Sequence, residues 1–220
     1  MLMATASKSK IEGYRLVLAS SSPRRQEILK NAGYEFEIMD PGEAEDAIAA
    51  APTPEALAIA RARAKAMHVA ASVRPPFPVL IAGADTLVAL GDDVLGKPLD
   101  RFDAAAILTR LSGSRHRVIS GLCLWPLSSA AAPGTIPQGD APVLASASTW
   151  VQMRKMSAEE IETYVATGQS DGKAGAYAIQ ENGDRFVKNL EGSFLNVVGF
   201  PLELFQQLLR SHIDVDDSKI

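Results

Sequence analysis

A serine-rich segment followed by two arginines is the first part of this sequence with residue types suited to chemistry. Ser20–Ser22 precede Pro23, and Arg24 and Arg25 follow it. A serine and a proline in this order are typical of the start of a helix, where free N–H groups and the helix dipole can bind an anion. Two arginines in the first turn oppose that dipole, so helix stability alone does not favour them there. The segment indicates either a phosphate-binding site or a solvated, well-capped helix start.

An aspartate lies inside the most apolar segment of the chain. Asp85 falls within Val79–Leu90, where a carboxylate costs free energy unless it is paired, protonated or bound to a metal. Glu43 and Glu45 form an acidic turn upstream, and carboxylate oxygens suit Mg²⁺ or Mn²⁺. The alternative is an aspartate that holds a buried lysine or backbone amides. Lys97, beyond a predicted hairpin, is expected to fold back towards Asp85.

Two further segments contribute polar side chains to the candidate site. Lys65 shares one stripe of a predicted helix with Arg61 and His68, and a solvated basic face is the simpler explanation for Arg61 and His68. Lys173 opens a run of small residues that ends at Gln180 and would let a ligand approach the backbone closely. The amide of Gln180 can read the edge of a nucleobase, since it carries both a donor and an acceptor. About five cations and two or three carboxylates suit a polyphosphate bound with a divalent metal.

Composition and charge exclude several classes of protein. The chain has 220 residues, with 22 Lys and Arg against 26 Asp and Glu, a formal net charge of −4 at pH 7. A binder of nucleic acid polymers needs a basic surface, so this balance disfavours that class. Cys123 is the single cysteine, which excludes an internal disulfide framework and a cysteine-based zinc site. Because the sequence shows neither a signal peptide nor an apolar run of roughly 20 residues, we expect a cytoplasmic protein without a membrane partner.

Two matches to catalytic motifs are rejected on their context. Gly91–Lys97 has the spacing of a P-loop, but Pro98 occupies the Ser/Thr position and has neither a hydroxyl nor an N–H. Gly168–Gly172 matches the nucleophile elbow of serine hydrolases, with Asp184 and His212 following in hydrolase order. That elbow needs a strand before its serine, and a capped helix is predicted there instead.

Short β-rich segments alternate with helical ones, which is typical of an α/β protein. Strands are predicted at Arg15–Ala19, Tyr34–Met39, Val79–Leu90, His116–Trp125 and Val143–Met153. Helices are predicted from Ser22 to the residues before Gly33, and at Pro54–Val73, Asp100–Leu111, Ser157–Thr167 and Pro201–Leu209. Between the last two helices lies a glycine-rich segment that ends at Gly199.

The whole chain, residues 1–220, is predicted to form one domain without internal repeats. Residues 1–12 and 211–220 are expected to be disordered tails. Residues 126–142 are rich in Pro, Gly, Ala and Ser and lie between two strands that look like antiparallel partners. We therefore expect an inserted hairpin loop there rather than a linker between domains.

Six segments of the sequence together resemble the Maf family of nucleoside triphosphate pyrophosphatases. The resemblance runs from about Arg15 to Leu209, and its segments are LASSSPRRQEIL, ARAKA, GADTLVALGDDVLGKPLD, LSGSRHRV, GKAGAYAIQ and FLNVVGFPL. It implies an α/β fold with a mixed β-sheet flanked by helices, similar to inosine triphosphate pyrophosphatases, and assembly as a homodimer. It also implies hydrolysis of a nucleoside triphosphate to the monophosphate and pyrophosphate with Mg²⁺ or Mn²⁺.

By position, the resemblance assigns roles to individual residues. Asp85 matches the general base, and Glu45 and Asp85 would hold the metal. The residues that would bind the substrate are Ser20, Arg24, Arg25, Lys65, Thr86, Lys97, Lys173 and Gln180. The run KAGAYAIQ resembles the branch of the family that prefers dTTP and UTP rather than 7-methyl-GTP. Arg24, Thr86 and Gln180 match the positions taken to set that choice.

The sequence departs from the family pattern at two places near the candidate site. Gly172 stands where the pattern has an aspartate, and Asp171 is displaced by one position. Glu181 stands where the pattern has a glycine. Both departures affect the expected base preference more than the expected reaction.

Several functions stay open from the sequence. A pyrophosphatase of this kind would serve nucleotide-pool sanitation or cell-division arrest. The main alternative is a regulatory protein that binds a nucleotide without turnover, which would use the same cations but would not need two carboxylates side by side. A nonspecific phosphatase would release orthophosphate instead of pyrophosphate.

Overall fold

Seven strands form one mixed sheet in the computed structural model, which describes residues 11, 13–74, 76, 78–128 and 141–213. The strands are β1 (Arg15–Ala19), β2 (Glu37–Met39), β3 (Val79–Leu90), β4 (Asp93–Leu95), β5 (Arg115–Leu127), β6 (Val143–Met153) and β7 (Val187–Glu191). The helices are α1 (Pro23–Asn31), α2 (Pro54–Ala70), α3 (Arg101–Leu111), α4 (Ala158–Ala166), α5 (Phe194–Val198) and α6 (Leu202–His212). The sheet order is β2-β1-β3-β5-β6-β7, and β4 pairs with β3.

The sheet combines parallel and antiparallel pairs. Strand β1 runs parallel to both β2 and β3, whereas β3, β5, β6 and β7 pair antiparallel in that order. Side chains alternate between the two faces of the sheet along each strand, and helices cover both faces. Leu16 and Leu18 pack with α1, α3, α4 and α6, while Val17 and Ala19 pack with α2. The α/β fold class with a mixed sheet flanked by helices is thus confirmed.

Helix α2 lies directly on the backbone of the two central strands. A Cβ atom at Gly83 of β3 would lie 2.4 Å from the carbonyl oxygen of Ala62, and one at Gly121 of β5 would lie 2.2 Å from backbone atoms of Ala58. Only glycine leaves room for this approach, since real Cβ contacts do not occur at such distances. The close packing brings Lys65, on the same helix, down to the level of β3.

One edge of β3 is open where the candidate site residues lie. The pairing of β1 with β3 ends at Ala19 and Gly83, and the pairing of β4 with β3 begins at Val88. Within the described part of the chain, residues 84–87 therefore pair with β5 alone. Asp85 and Thr86 lie in this gap between β1 and β4.

The structure corrects the predicted limits of two loops or tails. Pro126 and Leu127 belong to β5 rather than to the predicted loop, because they continue its pairing with β3 and Leu127 is buried. Residues 129–140 of that loop lie outside the described residues. Helix α6 continues to His212, beyond the predicted start of the C-terminal tail, because Ile213 at its end is still buried. Ile11 is likewise buried, whereas the rest of the predicted N-terminal tail and residues 214–220 lie outside the described part.

Other differences concern segments with weak local signals. Of the predicted strand Tyr34–Met39, only Glu37–Met39 pairs as a strand, and α2 ends at Ala70 rather than Val73. The glycine-rich segment contains three short helical turns before β7 and α5, which the sequence analysis did not predict. The first of these turns is tied to the segment after β4, because the N–H of Gly175 donates to the carbonyl of Gly96 at 3.1 Å.

The structure also places the two rejected motifs. Gly91, at a φ of 65°, forms the hairpin turn between β3 and β4 rather than the start of a helix. Ser170 is fully buried in a turn after α4, and His212 contacts Ser211 at the end of α6. No helix in the described ranges is long and apolar enough to span a membrane.

Replacement of Gly121 with alanine should lower the free energy of unfolding by about 1–3 kcal/mol, because the new Cβ meets backbone atoms that cannot rotate away. Urea unfolding measures this change. Gly96→Ala is the matched control, since a Cβ at Gly96 meets nothing within 4 Å. Equal effects of the two substitutions would contradict the direct packing of α2 on the sheet.

Candidate active site

A cleft of about 370 Å³ opens at the gap between β1 and β4. Its wall includes residues of the β1–α1 connection, β3, α2 and the runs after β4 and α4. All of the predicted site residues line it: Ser20, Arg24, Arg25, Glu45, Lys65, Asp85, Thr86, Lys97, Lys173 and Gln180. The structure thus brings together residues that lie up to 160 positions apart in the sequence.

The start of α1 forms one wall of the cleft. Ser22 is the N-cap residue, but its side chain forms no capping hydrogen bond. Its N–H donates instead to Oγ of Ser20 at 3.2 Å. The predicted well-capped helix start is therefore not what the structure shows, and a helix start with an uncapped first turn suits an anion.

Arg25 is buried beside this helix start and held by uncharged acceptors. Its Nε donates to the carbonyl of Gly199 at 2.8 Å, and its terminal nitrogens donate to the hydroxyls of Ser20 at 3.2 Å and Thr86 at 3.4 Å. Burial lowers the pKa of the Arg25 guanidinium from its ordinary value, and the charges of Asp85 and Glu45 oppose that shift. A guanidinium with neutral partners keeps positive charge available for a phosphate group.

Lys65 lies between the two carboxylates of the candidate site. Its Nζ is 2.7 Å from Oδ1 of Asp85 and 3.0 Å from Oε1 of Glu45, and only 6% of its side chain is exposed. The reading in which Asp85 holds a buried lysine is therefore what the structure shows. Burial raises the pKa of Glu45, but the charge and hydrogen bond of Lys65 outweigh it, so the pKa of this carboxyl is lowered overall.

Each carboxylate keeps one oxygen free of Lys65. Oδ2 of Asp85 and Oε2 of Glu45 are buried and have no hydrogen-bond partner among the described residues. Proteins bind Mg²⁺ through one or two carboxylates, with phosphate oxygens and water as the other ligands. The two free oxygens fit a divalent cation of this kind. The described residues include no cluster of three or more His, Cys, Asp or Glu that could hold a metal by themselves.

The remaining predicted cations lie around the cleft in different settings. Lys97 is 66% exposed, and its Nζ lies 4.0 Å from Oε1 of Glu45. It therefore folds back towards Glu45, whereas the sequence analysis expected Asp85 as its partner. Lys173 pairs with Glu181, with Nζ 3.1 Å from Oε2. Arg24 is half-buried.

The other part of the lining is apolar and carries few hydrogen-bonding groups. Its side chains are those of Val88, Val118, Ile179, Val197 and Val198. Oγ1 of Thr86 lies at 2.8 Å from Oγ of Ser120 and donates to the Gly199 carbonyl at 3.2 Å, while Gln180 is exposed at the cleft. Apolar walls with a few polar groups suit a planar base.

Gly199 lines the cleft and was not among the predicted site residues. Its carbonyl accepts from both Arg25 and Thr86, and its φ of 129° favours glycine. The fully buried Asn196 fastens α5, which ends beside Gly199, by donating to the Val118 carbonyl at 3.0 Å. The available signals were a polar Asn and a Gly within the otherwise apolar run FLNVVGFPL.

His116 and Cys123 are fully buried and do not line the cleft. Nε2 of His116 lies 2.9 Å from the hydroxyl of Tyr177, and burial lowers the pKa of His116 to about 4. Cys123 is fully buried, and burial raises the pKa of its thiol to about 12. Both side chains belong to the core.

The fold and the cleft define an α/β protein with a cationic cleft beside two buried carboxylates. The family described as Maf-like protein matches residues 15–212, and the chain belongs to this Maf family. The chain is similar to proteins named dTTP/UTP pyrophosphatase. The one from Anaeromyxobacter dehalogenans is 41% identical over 89% of this chain and 93% of its own length. Those from Symbiobacterium thermophilum (40%; 89% and 92%) and Alcanivorax borkumensis (39%; 88% and 93%) are nearly as similar.

A solved structure of a HAM1 protein from Coxiella burnetii also matches the chain. It is 16% identical, with a TM-score of 0.35 over 65% of this chain and 74% of that chain. This similarity is too low to carry an argument. The expected likeness to inosine triphosphate pyrophosphatases therefore rests on the sequence resemblance.

Lys65→Met should lower the free energy of unfolding at pH 7 by about 3–5 kcal/mol, because two buried carboxylates lose their cation. In the wild type, the pKa of Glu45 is lower in the folded state than in the unfolded state. The resulting stability is fully present at pH values above the pKa of the unfolded state, and it is lost as the pH falls through the pKa of the folded state. In the variant, burial acts on Glu45 without Lys65, so its pKa rises and stability recovers as it is protonated. The difference between the two proteins should therefore narrow from pH 8 to pH 5.

Urea unfolding of both proteins across this pH range measures the effect. Lys188→Met, at an exposed position of β7, is the matched control and should change stability by less than about 0.5 kcal/mol. If the free energies of unfolding of the wild type and Lys65→Met differed by the same amount at every pH, Lys65 would not be what lowers the pKa of Glu45.

Proposed function

We propose that this chain is a nucleoside triphosphate pyrophosphatase that hydrolyses dTTP and UTP, and related modified pyrimidine nucleotides, with Mg²⁺ or Mn²⁺. The observation that carries the proposal is the pair of carboxylates, Asp85 and Glu45, that share Lys65 and each keep a buried oxygen free. The names of the similar proteins support the same reaction. Two carboxylates that each keep an oxygen free in a cationic cleft are suited to phosphoanhydride hydrolysis.

The charged part of the cleft would bind the triphosphate. Arg25 and Ser20 lie at the start of α1, where free N–H groups add to the attraction for phosphate oxygens. Arg24 and Lys97 would neutralise further negative charge from the rim of the cleft. The ammonium of Lys65 already contacts both carboxylates. Any contact it makes with the phosphates would be shared with them, so its main contribution would be to position Asp85 and Glu45.

The apolar part of the cleft would receive the base. The hydroxyl of Thr86 and the amide of Gln180 would read its edge, and Arg24 would complete the set that distinguishes substrates. Lys173, at the other end of the run that ends at Gln180, would bind an oxygen of the substrate. The sequence resemblance and the names of the similar proteins support a preference for dTTP and UTP over 7-methyl-GTP.

The chemical step assigns a proton acceptor to the cleft. Oδ2 of Asp85 is free of the lysine and carries two lone pairs, so besides holding the metal it would accept a proton from the water that attacks the α-phosphorus. The new bond joins the water oxygen to the α-phosphorus, and the bond from that phosphorus to the bridging oxygen breaks. Pyrophosphate leaves with the negative charge, which the arginines and Lys97 stabilise. A divalent cation held by Glu45 and Asp85 would supply Lewis-acid polarisation of the phosphate oxygens.

A regulatory protein that binds a nucleotide without turnover is the second candidate. Lys65 already occupies one oxygen of Asp85. If this ion pair were purely structural, the cations of the cleft would still bind a nucleotide, but Asp85 would take no part in turnover. The two candidates differ in whether Asp85 is needed for turnover. A role in nucleotide-pool sanitation or cell-division arrest, the homodimer and the cytoplasmic location stay predictions.

Release of pyrophosphate from dTTP, UTP, CTP, ATP, GTP and 7-methyl-GTP tests the reaction and its specificity. We expect pyrophosphate chiefly from dTTP and UTP, and a loss of kcat of about 10²–10⁴-fold in Asp85→Asn, because the proton acceptor is removed. Asp93→Asn, at an exposed position of β4, is the matched control and should retain activity.

Each outcome distinguishes the candidates. Tight binding of dTTP without any pyrophosphate would support the regulatory protein. Orthophosphate as the product would indicate a nonspecific phosphatase. More than about a tenth of the wild-type kcat in Asp85→Asn would show that this residue is not the proton acceptor.

The metal requirement is tested with a second pair of variants. Activity should disappear with a chelator and return with Mg²⁺ or Mn²⁺. Glu45→Gln should need at least about tenfold more metal for half-maximal activity, because one of two carboxylate ligands is lost. Glu43→Gln, an exposed neighbour in the same segment, should behave as the wild type. Full activity in the chelator, or the same metal dependence in both variants, would refute the proposed site.

A further inference from the structure

A glutamate lies behind one of the lysines of the cleft. Oε2 of Glu181 is 3.1 Å from Nζ of Lys173. Lys173 lines the cleft with 15% of its side chain exposed, whereas Glu181 is 42% exposed. Glu181 also stands where the sequence resemblance expects a glycine, which could not form this ion pair.

The backbone around Glu181 is held by hydrogen bonds on both sides. The N–H groups of Glu181 and Gly183 both donate to the carbonyl of Ala178 at 3.0 Å. Asn182 adopts a φ of 57°, and its side-chain amide donates to Gln169 at 3.5 Å. The turn therefore presents the Glu181 carboxylate to Lys173 from a defined position.

The ion pair changes the charge that the cleft offers to a ligand. The lining itself carries five cationic side chains and two carboxylates: Arg24, Arg25, Lys65, Lys97, Lys173, Glu45 and Asp85. Their formal excess is three positive charges, and Glu181 lowers it to two. The effect falls mainly on Lys173, because the attraction between charges weakens with distance.

We propose that Glu181 is an affinity-setting residue, which weakens the hold of the cleft on polyphosphate anions by occupying the ammonium of Lys173. A phosphate oxygen that contacts Lys173 must displace the carboxylate of Glu181 or lie beside it, and both cost free energy. Weaker binding of the anion favours release of the product, a step that limits many enzymes. The inference rests on the proposed function, since it requires a cleft that binds polyphosphate.

Calorimetric titration of the full chain with inorganic pyrophosphate and with dTTP, at low salt and without divalent metal, tests this role. Glu181→Gln should lower the Kd for both anions about two- to fivefold, the range expected for a partly exposed ion pair. In a Lys173→Met background the same substitution should have no effect, because the residue through which Glu181 acts is gone.

Glu191→Gln is the matched control for charge. Glu191 forms an ion pair with Arg115 at 2.7 Å and is 56% exposed, but neither residue lines the cleft. Its substitution makes the same change in net charge and should leave both Kd values unchanged. Thermal unfolding of every variant shows that each is folded.

Four results would overturn the assignment. Unchanged binding in Glu181→Gln would show that the ion pair does not affect the ligand, and weaker binding would show that Glu181 orients Lys173 favourably. Equal changes of Kd in Glu181→Gln and Glu191→Gln would show that the effect comes from the net charge of the protein and not from the ion pair with Lys173. A change that persists in the Lys173→Met background would mean that Glu181 repels the anion directly.

Hydrolysis of dTTP by the wild type is measured in parallel with metal present. A wild type that releases pyrophosphate while Glu181→Gln binds as before would refute the role of Glu181 and leave the proposed function standing. A wild type that neither hydrolyses dTTP nor binds either anion would refute both.

Discussion

The ammonium of Lys65, buried between the carboxylates of Asp85 and Glu45, joins three parts of the chain at one point. It ties α2 to β3 and to the segment that precedes α2. A buried carboxylate pair would repel itself without this cation, and a buried lysine would be unstable without the carboxylates. The pair persists only because α2 approaches the sheet closely over Gly83 and Gly121. The packing of one helix thus determines whether two carboxylate oxygens remain free for chemistry.

The open edge of β3 explains how residues on both faces of the sheet reach one cleft. Asp85 and Thr86 are neighbours in sequence and point to opposite faces, yet both line the cleft because neither β1 nor β4 covers this stretch. Asp85 meets α2 on one side, and Thr86 meets Arg25 on the other. The carbonyl of Gly199 holds Thr86 and Arg25 together, so the short helix α5 takes part in positioning the site.

Much of the fold could be predicted where local signals were strong. Strands Val79–Leu90 and Val143–Met153 have the limits that their apolar patterns predict, and α4 begins after Ser157, where the predicted helix begins. All of the predicted site residues line the cleft, and their roles stay predictions. The segment that ends at Gly199 was not resolved into elements, because its helical turns and strand depend on contacts with distant parts of the chain.

The amino-acid order alone establishes which side chains are available: carboxylates, clustered cations and a helix start that carries arginines. Which atoms meet depends on the folded chain. It placed Lys65 against both carboxylates, Lys97 beside Glu45 and Glu181 behind Lys173. Local propensity acts over a few neighbouring residues, whereas these contacts depend on the separation between a helix and a sheet and on the strand edge left unpaired. Such distances are set by packing across the whole fold, which no local pattern in the sequence encodes.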